Sequence, residues 1–172
     1  MNYFEFYELP VSFHPDERLI KDKFYALSKK FHPDFYVNED QEKQDEVLNL
    51  STLNNKAFQV LSDPQKRLHY VLELEGELKE GESYILPQDF LMDMMEINEA
   101  IMEQSFSPDV SAIEALKLQV AELEVVLDKD LQILTSTFDQ AESGQAQLLK
   151  EIKDIYYRKK YLLRIKESFS QL

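Results

Sequence analysis

The amino-acid sequence predicts an all-α protein: an N-terminal antiparallel helical hairpin with short flanking helices, followed by a C-terminal three-helix bundle. Apolar residues recur at spacings of three and four, which is the period of amphipathic helices. The alternation of apolar and polar residues that is typical of strands is scarce. Hydrophobic residues make up 44% of the chain, which is enough to build a folded core.

The N-terminal elements follow from their stop signals and apolar stripes. A short helix is predicted over residues 3–8 and ends before Pro10. The second helix is expected over residues 14–31, because Pro15 and Asp16 suit a first turn. Its inward stripe is Ile20, Phe24, Leu27 and Phe31.

Pro33 is expected to end the second helix, so residues 32–40 are predicted to form a loop. A third helix begins near Gln41 and packs antiparallel to the second, because the connection between them is short. Asp63 is a suitable N-cap and Pro64 a suitable first residue for a short fourth helix. Its Leu68, Val71 and Leu72 should pack on the core.

Residues 76–87 are predicted to link a domain of residues 1–75 to a bundle of residues 88–172, because this segment contains Gly76, Gly81, Pro87 and several glutamates. Three helices are expected in the bundle, over residues 88–105, 108–142 and 145–169. The second carries eight apolar residues near heptad spacing, which is typical of a helical bundle: Ile113, Leu116, Val120, Leu123, Leu127, Leu131, Leu134 and Phe138. Those predicted to face inward on the third are Leu148, Ile152, Ile155, Leu162, Ile165 and Phe169.

Composition excludes several classes of function. The chain has no cysteine, three scattered histidines and three glycines, so we expect no disulfide, no metal site, no phosphate-binding loop and no cofactor. The net charge of −14 argues against nucleic acid as a partner. No apolar run could span a membrane, and the acidic N-terminus does not resemble a targeting segment, so we expect a cytoplasmic protein with no membrane partner.

The tripeptide His-Pro-Asp occurs twice, and the two contexts differ. The first copy, at residues 14–16, opens a helix, where capping and the helix dipole account for Pro15 and Asp16. The second copy, at residues 32–34, lies at the tip of the predicted hairpin. It follows a helix that carries four lysines with one opposing acid at Asp22: Lys21, Lys23, Lys29 and Lys30.

These features resemble a J-domain. The resemblance is carried by the basic helix, by Lys30-Phe31-His32-Pro33-Asp34, and by the run Asn54-Asn55-Lys56-Ala57-Phe58-Gln59-Val60-Leu61-Ser62-Asp63-Pro64-Gln65-Lys66-Arg67. The resemblance implies that the turn and the basic helix dock on a DnaK/HscA-type ATPase chaperone and promote ATP hydrolysis there. The implied chaperone-binding residues are His32, Pro33, Asp34, Lys21, Lys23, Lys29 and Lys30. The lysines would steer encounter with an acidic surface, and Asp34 would accept a charge-assisted bond.

The C-terminal region is similar to the HscB/Jac-type J-domain co-chaperones of iron–sulfur cluster assembly. The similarity is carried by the acidic linker, the three-helix bundle and Phe90-Leu91-Met92-Asp93-Met94-Met95-Glu96-Ile97-Asn98-Glu99. The resemblance implies that this helix binds the iron–sulfur cluster scaffold protein. The implied scaffold-binding residues are Leu91, Met92, Met95, Glu96, Glu99 and an aromatic residue of the last helix, Tyr157, with Tyr156 as the alternative.

Other interpretations remain at this point. Met92 and Met95 would pack inside the bundle if the strip were only core, and the bundle could serve a different client protein of the same J-domain adaptor. An enzyme is disfavoured, because Asp128 and Asp130 are two residues apart on a helix and no nucleophile or metal set accompanies them. The basic run Arg158-Lys159-Lys160 is expected to pair with the acidic helix 108–142.

Overall fold

The computed structural model describes all residues from Met1 to Leu172 and confirms the all-α prediction: the chain forms seven α-helices and no strand. It divides into two compact units, Met1–Gly76 and Glu77–Leu172. No helix combines the length and the apolar character that crossing a lipid bilayer requires.

The N-terminal unit contains four α-helices and one short 3-10 turn between the second and the third. Helix α2 packs against α3, and α3 also contacts α1, α4 and the 3-10 turn. Its elements are α1 (Tyr3–Phe6), α2 (Glu17–Lys30), the 3-10 turn (Pro33–Tyr36), α3 (Gln41–Leu61) and α4 (Pro64–Leu74).

Aspartate caps set where these helices begin. The Asp16 carboxylate accepts hydrogen bonds from the backbone N–H groups of Arg18 and Leu19, so α2 starts at Glu17 rather than at residue 14. Asp40 and Asp63 cap α3 and α4 in the same way. Helix α1 is shorter than predicted, because the chain turns after Phe6 and reaches a left-handed conformation at Glu8, with φ 57°.

A buried polar network crosses the helical hairpin. The Asn54 side chain is 1% exposed; its Oδ1 accepts a hydrogen bond from the Tyr7 hydroxyl at 2.8 Å. Its Nδ2 donates to the backbone oxygen of Phe24 at 3.1 Å and to the Ser28 hydroxyl at 3.0 Å. One residue of α3 therefore holds α2 and the turn after α1 in register. Around it lies an apolar core of Phe4, Phe13, Ile20, Val47, Ala57, Leu61, Val71 and Leu72.

The C-terminal unit is a bundle of α5 (Gln88–Phe106), α6 (Val110–Gln140) and α7 (Gln145–Ser168). Helices α6 and α7 pack along each other, and α5 contacts both. Gly144, at φ 74°, precedes α7 in the left-handed region, where a residue with a Cβ would be strained. The buried core residues are Phe90, Met94, Ile97, Ile101, Val120, Leu127, Ile155, Leu162 and Ile165.

Most of the expected inward residues of α6 and α7 are buried or half-buried. Leu148 is half-buried, and the buried position of that turn is Leu149, which the sequence pattern did not predict. Because the two leucines are adjacent, the apolar pattern of the first turn of α7 is compatible with either side chain facing inward.

Residues 76–87 were predicted to be a linker, but residues 77–87 belong to the C-terminal unit and pack on α7 through Glu82 and Tyr84. The Tyr84 ring stacks on that of Tyr157 with 4.5 Å between centroids, and its hydroxyl donates to Asp154 at 2.7 Å. Glu82 accepts from Lys153 at 2.7 Å and from the Tyr157 hydroxyl at 3.3 Å. This segment, called the strap below, is part of the C-terminal unit.

Candidate chaperone-docking turn and partner-docking helix

The second His-Pro-Asp copy forms an exposed, ordered turn. His32 is the N-cap of the 3-10 turn, and its Nδ1 accepts a hydrogen bond from the backbone N–H of Asp34 at 3.3 Å. With Nδ1 as the acceptor, Nε2 carries the proton of the neutral ring. The side chains of His32 and Asp34 are 54% and 85% exposed. Because Pro33 fixes φ at the first position, both polar groups are presented with little freedom.

One further contact ties the turn to the hairpin, and another lies within the turn. The Tyr36 hydroxyl donates to the backbone oxygen of Lys30 at the end of α2, at 2.8 Å. The edge of the His32 ring faces Phe35, which is itself 69% exposed. The turn is therefore anchored at its far end by Tyr36, while its tip remains accessible.

The lysines of α2 differ in their environment. Lys21, Lys29 and Lys30 are exposed. Lys23 instead pairs with Glu8, and this contact lowers the pKa of the Glu8 carboxyl. Three of the four lysines predicted to steer the chaperone are thus available at the surface, and Lys23 already has an acidic partner within its own unit.

The first His-Pro-Asp copy has a structural role. The Asp16 carboxylate caps α2, as its position in the sequence predicted, and the backbone N–H of His14 donates to the Ser12 hydroxyl at 2.9 Å. The Asp16 carboxylate is engaged with backbone N–H groups, whereas that of Asp34 is exposed. The two copies share a sequence but differ in what their aspartates contact.

Helix α5 presents a mixed apolar and acidic strip. Met92 and Met95 are each 57% exposed, so the alternative that they pack inside the bundle is wrong. Met94 fills that role instead and is 1% exposed. Leu91 is half-buried at the edge of the strip. Glu96 and Glu99 are exposed, and the spacings of three and four place them beside the methionines.

Tyr157 packs under the strap. Its ring contacts are with Tyr84 and with Tyr156, the alternative named from the sequence, and burial raises the pKa of its phenol. The α7 aromatic that contacts α5 is Tyr161, whose ring meets that of Phe90 edge to face. The structure therefore brings the five α5 residues together, and it places Tyr157 against the strap.

Sequence reasoning missed the part that Arg67 plays in the N-terminal unit. Arg67 is 5% exposed; its Nε donates to the backbone oxygen of Phe13 at 2.9 Å and an Nη donates to that of Leu61 at 2.6 Å. It thus fixes the loop before α2 and the end of α3. The only signal in the sequence was that Arg67 ends the motif run that begins at Asn54. That run indicates a family and does not indicate a buried contact.

The remaining charged candidates form ion pairs or line an open surface. Asp128 of α6 pairs with Lys159 of α7, as expected for the basic run, and Arg158 pairs with Asp154 within α7. Asp130 lines an open groove between α6 and α7. No group of three or more His, Cys, Asp or Glu side chains is arranged to hold a metal ion.

Comparison with known families agrees with both units. Residues 2–70 match the DnaJ domain, and residues 86–170 match the HSCB C-terminal oligomerisation domain. These matches define the class: a J-domain protein with a second, HscB-type helical domain. The chain is 31% identical over 147 residues to the co-chaperone protein HscB homolog of Shewanella baltica, covering 84% of this chain and 83% of that protein. The chain therefore belongs to the HscB co-chaperone family.

More distant relatives and solved structures agree with this assignment. The human iron-sulfur cluster co-chaperone protein HscB is 29% identical over 167 residues, covering 96% of this chain and 66% of the human protein. The structure of chaperone HscB from Vibrio cholerae matches with a TM-score of 0.67 and 26% identity, over 99% of this chain and 96% of that one. Human HscB matches with a TM-score of 0.73 and 27% identity, over 99% and 81% of the two chains.

Proposed function

We propose that this protein stimulates the ATPase of a DnaK/HscA-type chaperone and delivers the iron–sulfur cluster scaffold protein to it. The protein would act as an adaptor without catalytic residues of its own, in a cytoplasmic setting. The observation that carries this proposal is the exposed His32-Pro33-Asp34 turn at the end of a lysine-bearing helix in an HscB-family chain.

The chemistry of the turn suits a charged partner surface. The exposed Asp34 carboxylate would accept a charge-assisted hydrogen bond from an arginine of the chaperone. Lys21, Lys29 and Lys30 would steer the encounter towards an acidic surface, which raises the association rate more than the final affinity. His32 would hold the loop through its bond to the Asp34 N–H and offer Nε2 as a donor.

The strip on α5 would receive the scaffold protein. The exposed thioethers of Met92 and Met95 adapt to an apolar partner surface. The carboxylates of Glu96 and Glu99 would favour a partner that carries basic groups beside that surface. The human relative is named as an iron–sulfur cluster co-chaperone, which supports a scaffold of that pathway as the client. Tyr157 would join this surface only if the strap moved from it.

The test of the first half is chaperone ATP turnover with and without this protein. We expect the wild-type chain to stimulate turnover and His32→Gln to abolish stimulation, because the turn loses the imidazole ring whose Nδ1 accepts from the Asp34 N–H. His14→Gln is the matched control, since His14 belongs to the His-Pro-Asp copy whose Asp16 caps α2, and it should stimulate like wild type. Unchanged stimulation by a folded His32→Gln variant would contradict the proposal.

The test of the second half is scaffold binding by the full-length chain. Replacing Leu91, Met92 and Met95 together with Ala should weaken scaffold binding and leave the scaffold-free ATPase stimulation intact. If the wild-type chain captures a different client and not the scaffold, the J-domain role stands and the scaffold assignment is wrong.

A further inference from the structure

Two large apolar side chains on α5 lie outside the residues assigned above. Met102 is 63% exposed and Phe106 is 85% exposed, which makes Phe106 one of the most exposed large apolar residues of the chain. Neither holds α5 on the bundle, because the buried residues of the helix are Phe90, Met94, Ile97 and Ile101. A monomeric surface has no need for a phenylalanine there.

The positions of these residues continue the strip. Met95, Met102 and Phe106 follow Met92 by 3, 10 and 14 residues. Glu99 follows Met92 by 7 residues. At 3.6 residues per turn these four apolar side chains fall within an arc of about 80° on the helix, over a length of about 21 Å. The exposed face is therefore one continuous surface from Met92 to Phe106.

Charge is concentrated towards one side of this surface. Glu96, Glu99 and Glu103 are exposed, and around the helix they centre about 60° from the apolar residues, with Glu99 inside the apolar arc. No lysine or arginine occurs in α5 to neutralise them. A partner that covers the surface must therefore combine an apolar ridge with lysine or arginine side chains along one side of that ridge.

The end of α5 is ordered enough to present Phe106. The Gln104 side chain accepts from the backbone N–H of Asp109 at 2.8 Å, which joins the turn after α5 to the helix. The Ser105 hydroxyl donates back to the oxygen of Met102, and Ser107 ends the helix with its N–H bonded to Glu103. Phe106 thus stands on a fixed helix end, so binding there costs little ordering of the chain.

We propose that the docking surface of α5 extends through Met102 and Phe106, and that it receives an apolar ridge about 21 Å long flanked by basic residues on the scaffold protein. This inference rests on the proposed scaffold-binding function. Met102 and Phe106 contribute affinity. Because the acidic residues lie towards one side of the apolar residues, the surface accepts the partner in one orientation only.

The experiment compares scaffold binding by three full-length proteins in a calorimeter: the wild type, the double variant Met102→Ala with Phe106→Ala, and a control. The double variant should bind about tenfold more weakly, because two exposed anchors of the interface are truncated. The control is Leu118→Ala with Val125→Ala, which removes two apolar residues of α6 that are 61% and 57% exposed and should bind like wild type. Circular dichroism should show the same helix content for all three proteins.

The contrary outcomes are distinct. A wild type that does not bind the scaffold overturns the proposed function together with the extension. A wild type that binds, with a double variant of equal affinity, overturns the extension alone. A double variant that loses self-association in sedimentation but keeps scaffold affinity assigns the surface to a second copy and overturns the proposal. Scaffold affinity that does not fall with rising salt contradicts the basic border.

Discussion

The N-terminal unit buries hydrogen-bonded polar side chains inside its hairpin, whereas the C-terminal unit sets its exposed strip over an apolar core. Asn54 and Arg67 are almost fully buried in the first unit, and both bridge different elements. In the second, the buried polar residue is Thr135, whose hydroxyl bonds to Leu131 one turn earlier in the same helix.

This difference matches what each unit presents. A turn of three residues must be held at a defined place, and hydrogen bonds between elements fix register better than apolar packing does. A strip of about four helical turns needs only a straight helix with one buried face, which apolar packing supplies. The predictions below test this contrast, in order of expected effect.

The largest effect is expected for Asn54→Ala. The change removes three hydrogen bonds and leaves the Tyr7 hydroxyl and the Phe24 oxygen buried without that partner, which should cost about 3–4 kcal/mol of unfolding free energy. Asn55→Ala is the matched control, because Asn55 is exposed one residue later, and it should change stability by less than about 0.5 kcal/mol. Urea unfolding followed by circular dichroism measures both, and similar losses would refute the polar-network explanation.

In the bundle the corresponding contrast is between two adjacent methionines. Met94→Ala should cost about 3 kcal/mol, since it opens a cavity in the core of the C-terminal unit. Met95→Ala should cost less than about 0.5 kcal/mol, because that side chain is already 57% exposed. Thermal and urea unfolding distinguish the two. Equal destabilisation would mean that Met95 is a packing residue and would remove it from the docking strip.

The contrast also explains which features could be predicted from the sequence. The turn at His32 and the caps at Asp16 and Asp63 were identifiable, because short motifs with proline and aspartate have local physical causes. Asn54 belonged to the recognised motif, but its bonds to Tyr7 and Phe24 are long-range and depend on how α2 and α3 meet. The local sequence pattern carries no information about how two helices pack against each other.

For the strip, periodicity alone left the orientation of α5 open. Met92 and Met95 lie about 60° apart around the helix, and Met94 lies about 100° or more from both, so their spacing allowed either Met94 or its neighbours to face the core. The strap was missed for a related reason. Its glycine and glutamates are typical of a linker, and only the position of Lys153, Asp154 and Tyr157 on α7 makes Glu82 and Tyr84 pack.

A smaller effect tests how the strap is held. Burial and the bond to Asp154 raise the pKa of Tyr84 to about 12, so its phenol donates to Asp154 throughout the neutral range. Tyr84→Phe keeps the stack on Tyr157 and loses that bond, which should cost about 1 kcal/mol in urea unfolding. Tyr25→Phe, at a tyrosine that is 66% exposed, should be neutral. A neutral Tyr84→Phe would leave the ring stack and the Glu82 contacts to hold the strap.

The smallest effect concerns the pH dependence of the Glu82–Lys153 pair. Hydrogen bonding to Lys153 lowers the pKa of the Glu82 carboxyl below its ordinary 4.5. A lowered pKa in the folded state stabilises the fold above the unfolded value and loses that contribution as the pH falls through the folded value. The melting temperature of Glu82→Gln should therefore lie below that of wild type at pH 7, and the gap should close as the solution is acidified below 4.5.

Glu80→Gln supplies the control for this measurement. It removes the same charge from an exposed strap residue and should follow the wild-type curve at every pH. If both variants depart from wild type equally, the effect comes from the overall acidity of the strap and not from its bond to α7. If only Glu82→Gln has a melting temperature below that of wild type, and only at pH values above the acid range, a specific ion pair holds the strap in addition to the tyrosine stack. The C-terminal unit would then hold its strap with the polar contacts that the N-terminal unit uses in its hairpin, while its docking helix rests on apolar packing.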